Sequence, residues 1–71
     1  MRITRFYFGD SLKTDSIVKL HHELTHYVLK VLRLKTGNQI KLFNSNEGEF
    51  LGTIVSINKG DISVSVDMQV R

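Results

Sequence analysis

The chain changes its hydrophobic period once, at Gly37, and that change narrows the folds open to it. Between His22 and Arg33, apolar residues fall at 24, 27, 28, 31 and 32, the i, i+3, i+4, i+7, i+8 spacing of an amphipathic helix. At roughly 100° per residue, Leu24, Tyr27, Val28, Val31 and Leu32 share an arc of roughly 140°. His22, His26, Lys30 and Arg33 gather within roughly 80° on the opposite side. The spacing predicts a helix over about 22–33, with one face in the core and the other a basic ridge, stopped by Gly37. Beyond Gly37 the period is two. Residues 39–43, 49–57 and 62–70 read as strands, joined by 44–48 and 58–61, whose Asn, Asp and Gly tolerate positive φ. In the last strand Ile62, Val64, Val66, Met68 and Val70 point inward. In the middle strand Phe50 and Ile54 face one way and Leu51, Val55 and Ile57 the other, which suggests a sheet that curls or carries a helix. Before the helix, 3–8 reads as an aromatic strand, 9–16 as a loop and 17–20 as a short strand. The expected fold is mainly β with one helix: a small, mostly antiparallel β-barrel packed by one amphipathic helix, a single domain over 1–71.

A chain of 71 residues without cysteine has no disulfide, thiolate zinc site or cysteine nucleophile. Its stability must come from a well-packed core, a partner domain or a dimer. With 41% hydrophobic and 24% charged residues, the composition is globular rather than disordered. No apolar run reaches membrane-spanning length and no secretory h-region follows the first residues, so a cytoplasmic location is expected. The net charge of +3 is unevenly spread. Residues 1–41 carry eight Lys/Arg against three acids, and 42–71 carry two against four. Any nucleic-acid contact is therefore expected in the first half.

Few catalytic arrangements survive. The glycines form neither a dinucleotide fingerprint nor a phosphate loop, and no nucleophile elbow is present. His22-Glu23-Leu24-Thr25-His26 matches H-E-x-x-H, two imidazoles one turn apart with a glutamate between. A zinc protease needs a third ligand on a second helix and a substrate cleft. Glu47 and Glu49 fall in a turn and a strand instead, so that reading is rejected and no metal is expected. Arg2 and Arg5 beside Phe6, Tyr7 and Phe8 suit RNA contact by charge and stacking; the same residues also suit an edge strand with its aromatics in the core. The ridge of His22, His26, Lys30 and Arg33 suits phosphate contact, or a solvated face whose cations, with Lys35, complement the helix dipole.

Arg2-Ile3-Thr4-Arg5-Phe6-Tyr7, the stretch from His26 to Gly37 with its Val-Leu-Arg-Leu core, Leu42-Phe43 and Gly48-Glu49-Phe50 together resemble the N-terminal region of the RsmE family. These are small-subunit (16S) ribosomal RNA uridine-N3 methyltransferases. The resemblance implies a PUA-like β-barrel that holds RNA, followed in the parent by a knotted C-terminal SPOUT domain that binds S-adenosylmethionine and forms the homodimer. It implies no catalytic or cofactor-binding residue in this fragment. It assigns RNA contact to Arg2, Arg5, His26 and Arg33, with Lys30 and Lys35 as electrostatic support, and the small ribosomal subunit as partner. Where the family favours Gly-Asp after the helix this chain has Gly37-Asn38, and where it favours Asp-Gly it has Asn44-Ser45, both turn-compatible. A free-standing RNA-binding barrel, a protein-interaction module using the first strand and, more remotely, a metal-binding helix are the competing readings.

Overall fold

The computed structural model describes residues 3–71. The strands are β1 (Arg5–Tyr7), β2 (Ser16–Lys19), β3 (Gln39–Asn44), β4 (Gly48–Asn58) and β5 (Asp61–Gln69). Between β2 and β3 lies one helix, α-helical over His22–His26 (α1) and continued by a π-helical segment, Tyr27–Leu32. The strands form one sheet in the order β1-β3-β4-β5-β2. The β3–β4, β4–β5 and β2–β5 pairings are antiparallel, and β1 runs parallel to β3. The architecture is the expected small, mainly β, PUA-like domain, with a parallel edge strand that alternation alone does not reveal.

The β4–β5 hairpin shows how the sequence sets the register. Lys59 and Gly60 both take positive φ, 50° and 87°, between the paired residues Asn58 and Asp61. Two consecutive positive φ values make the tight turn whose twist matches the flanking strands. The register then shifts between Leu51 and Gly52 and between Ile54 and Ser56, and such bulges bend a sheet. At Gly52 the neighbouring strand comes so close that a Cβ would lie 2.7 Å from Val64 Cγ1 and 2.8 Å from the Ser65 carbonyl oxygen.

Phe6, Phe8, Ile40, Leu42, Phe50, Ile54, Ile62, Val64 and Val66 fill the concave core, and Leu12, Leu20 and Val28 close it. The bulges leave the alternation of β5 incomplete: Met68 and Val70, expected inside, are exposed. Leu51 and Ile57 on the other face of β4 are only half-buried, and Val55 is exposed.

The helix departs from its expected seating. Thr25 and Val28 are buried, Leu24, Leu29 and Leu32 are half-buried, and Tyr27 and Val31 are exposed at 44% and 60%. The inward arc is thus rotated by roughly 60° from the one the apolar spacing predicts. Thr25 explains the rotation, since its hydroxyl donates to the Leu20 carbonyl at 3.4 Å and a hydrogen-bonded threonine can occupy a core position. The π turn carries the shift onward, keeping Val28 inside while Tyr27 stays out. The helix ends where the spacing predicts, but its left-handed cap is Arg33 (φ 54°, ψ 43°) rather than Gly37, whose positive φ of 95° comes four residues later. The Arg33 and Leu34 amides both donate to the Val28 carbonyl.

The long loop before β2 is held by one carboxylate. Glu47, in the β3–β4 turn, accepts from the Leu12 amide (2.9 Å), the Ser11 hydroxyl (2.9 Å) and Asn44 Nδ2 (2.8 Å). These donors, led by the Leu12 amide, hold its carboxyl below the ordinary value. The same Asn44 side chain donates to the Asp10 carbonyl and accepts from the Glu47 amide. The residue pair that departs from the family's Asp-Gly therefore includes one of the loop's anchors.

Candidate nucleic-acid interface

The exposed half of the helix faces two neighbours. On one flank, His22, His26 and Lys30 line a shallow depression with Thr25, Leu29 and Gly60 of the β4–β5 turn. Four-residue spacing places their side chains one above another along the helix. On the other flank, the start of the helix and β1 enclose an open groove of about 650 Å³ lined by Phe6, Tyr7, His21, His22, Glu23, Leu24 and Tyr27. His22 borders both.

Of the residues expected to contact RNA, His26 and Lys30 share the first surface. Arg33 and Lys35 follow on the exposed chain leaving the helix, where the Lys35 amide donates to Asn38 Oδ1 at 2.7 Å. The left-handed backbone of Arg33 costs an L-residue about 1–2 kcal/mol relative to the right-handed region, and strain of this kind concentrates where a side chain must be aimed. Arg2 lies outside the described residues.

Arg5 sits in a different environment. Its guanidinium is 2.9 Å from Glu49 Oε1 and 4.9 Å over the Phe43 ring. Glu49, which reads in sequence as an ordinary strand polar residue, is buried, with Lys41 Nζ at 3.7 Å from its other oxygen. The parallel register places Arg5 beside Lys41 and Tyr7 beside Phe43, and the antiparallel β3–β4 register places Phe43 beside Glu49. Arg5 thus holds the edge strand onto the sheet through an ion pair and a ring face, and half of its side chain remains open to solvent. No local sequence signal announces the pair, because its members are brought together only by the order of the strands.

Among the described residues, no group of three or more His, Cys, Asp or Glu is placed to hold a metal ion. The two downstream glutamates are engaged elsewhere, Glu47 with the loop and Glu49 with Arg5 and Lys41. No described helix is long and apolar enough to cross a membrane.

Residues 23–67, spanning the helix, its basic flank and β3 to β5, match the RNA methyltransferase PUA domain family. The chain belongs to this family. It is 39% identical over its whole length to the ribosomal RNA small subunit methyltransferase E of Rickettsia conorii, and 32% identical over 92% of its length to that of Buchnera aphidicola. It spans 30% and 26% of those proteins. Among solved structures, a methyltransferase of Legionella pneumophila in complex with S-adenosylmethionine superposes with a TM-score of 0.88 at 28% identity, over 96% of this chain and 28% of that one. The ribosomal RNA small subunit methyltransferase E of Neisseria gonorrhoeae, bound to S-adenosylmethionine, has the same fold, with a TM-score of 0.83 at 21% identity over 94% of this chain and 28% of its own. The PUA domain seen here thus matches between a quarter and a third of each of these relatives.

Proposed function

We propose that this PUA domain docks 16S ribosomal RNA for a methyltransferase that modifies uridine N3, as the resemblance to the RsmE family implies. The family match over residues 23–67 carries the reading, and the exposed cations along and after the helix supply its physics. His26, Lys30, Arg33 and Lys35 contact phosphates, the open half of the Arg5 guanidinium adds to them from β1, and Arg2 is the further contact that the resemblance assigns. Contacts of this kind fix position and orientation on RNA and leave sequence to be read elsewhere. S-adenosylmethionine belongs to the remainder of the parent protein, which also forms the homodimer. The grooves described above are open to solvent and suit surface contact rather than enclosure of that cofactor. The parent works in the cytoplasm on the small ribosomal subunit.

The test is an amide chemical-shift titration of the chain with a small-subunit ribosomal RNA fragment. Shifts concentrated over residues 22–35 and β1 are expected. Shifts confined to β2 and its loop, with the helix silent, would sink this assignment of the surface.

A further inference from the structure

We infer that the groove between β1 and the helix is a stacking site for one unpaired base of single-stranded RNA. This deepens the RNA-docking reading and rests on it. Tyr27 is the wall of this groove. The rotated helix and its π turn hold Tyr27 44% exposed, and its ring is braced edge-to-face on the buried Phe6 at 6.1 Å. Tyr7, 61% exposed, stands at the rim and is braced edge-to-face on Phe43 at 5.7 Å. Two rings that are fixed from behind and open in front form a stacking platform whose ordering cost is already met by the fold.

The charges beside the groove match such a ligand. His22 borders both the groove and the depression that His26 and Lys30 line, so a strand crossing the helix can set its phosphates on the Lys30 ammonium and the imidazole N–H donors while one base turns into the groove. Glu23, also on the groove wall, repels a phosphate there and instead accepts hydrogen bonds from base N–H groups. A duplex keeps its bases stacked and cannot offer one. β1 pairs only with β3 among the described residues, so an extended peptide adding to its outer edge is the competing occupant.

The molecule carries its own reporter. It has no tryptophan and two tyrosines, and both line this groove. Hexauridylate and hexaadenylate, a duplex of the same length and an alternating Thr-Val hexapeptide would be titrated against intrinsic tyrosine emission, with anisotropy of end-labelled RNA in parallel. The expected result is quenching by the single strands and little by the duplex. Tyr27→Leu should weaken single-strand binding by about 5- to 150-fold, the range that loss of one base–aromatic stack gives. Tyr27→Phe, which keeps the ring, should bind like the parent, and matched unfolding midpoints for the two variants exclude misfolding as the cause. Single-strand binding with unchanged emission and an unaffected Tyr27→Leu variant would overturn the stacking site while leaving RNA docking in place. Quenching by the peptide and not by RNA would overturn it in favour of strand addition. Failure of every RNA to bind at low salt would overturn both readings.

Discussion

Truncating Val28 and Val31 to alanine, one at a time, separates the observed seating of the helix from the one its apolar spacing suggests. Both are valines in the same π-helical segment, so the change in helix propensity is shared and favours alanine by about 0.5 kcal/mol. Val28 is fully buried and Val31 is 60% exposed. Removing two buried carbons from Val28 loses about 1.6 kcal/mol of transfer energy, and the unfilled space brings the loss to about 2–3 kcal/mol. After the propensity gain, Val28→Ala should cost about 1.5–2.5 kcal/mol. In a domain of this size that lowers the melting temperature by about 6–20 °C. Val31→Ala has little buried area to lose and should stay within about 0.5 kcal/mol of the parent. Urea unfolding followed by far-ultraviolet circular dichroism reads both. Equal losses, or a larger loss at Val31, would refute the rotated helix and with it the exposure of Tyr27.

Four further outcomes follow from particular contacts. Gly52→Ala pushes a methyl against Val64 Cγ1 and the Ser65 carbonyl, and should cost about 1–3 kcal/mol in the same urea assay. Arg5→Ala leaves the buried Glu49 carboxylate with Lys41 at 3.7 Å as its remaining ion-pair partner among the described residues; it should cost about 1–2 kcal/mol, discounted because Arg5 is half-exposed, and a double-mutant cycle with Glu49→Gln should show positive coupling. Arg33→Gly relieves a left-handed L-residue and should raise stability by about 1 kcal/mol while weakening RNA binding; loss of both together would show that the backbone conformation needs the side chain. Because the folded state depresses the Glu47 carboxyl, its contribution is complete above the ordinary value of 4.5 and lost as pH falls through the lower folded value. Glu47→Gln should therefore flatten the acid side of the stability–pH curve below about pH 4.5, and an unchanged curve would remove the loop clamp from the account.

Much of this was legible in the chain itself. The period of two after Gly37 locates β3, β4 and β5 to within a residue or two, and Gly60 marks their tight turn, because alternation and positive φ are local properties. The helix is legible as a segment but not in its rotation. Thr25 reads as polar, and only the Leu20 carbonyl, five residues back and packed beneath it, makes it a core residue. The π turn leaves no mark on a helical wheel drawn at a fixed angle. The site divides in the same way. Lys30 and His26 are visible as a ridge because they lie on one element. The Arg5–Glu49 pair and the Tyr7–Tyr27 groove arise from strand order and from the seating of the helix on β1, which no spacing encodes. The Val-Leu-Arg-Leu stretch carries the family resemblance, and three of its residues serve the fold: Leu32 and Leu34 pack against the core and Arg33 turns the chain, while Val31 stays exposed.

The central claim, that the cations of the helix and its exit dock RNA through phosphates, is tested most directly by salt dependence. Binding of a small-subunit ribosomal RNA fragment would be measured by anisotropy across a range of salt for the parent chain and for Lys30→Ala/Arg33→Gly, with glycine used at 33 because the backbone there is left-handed. The account predicts linear plots of log K against log salt, with the variant's slope shallower by about 0.7–0.9 for each phosphate contact removed. Parallel lines of equal affinity would contradict it and leave the basic ridge as a solvated helix face.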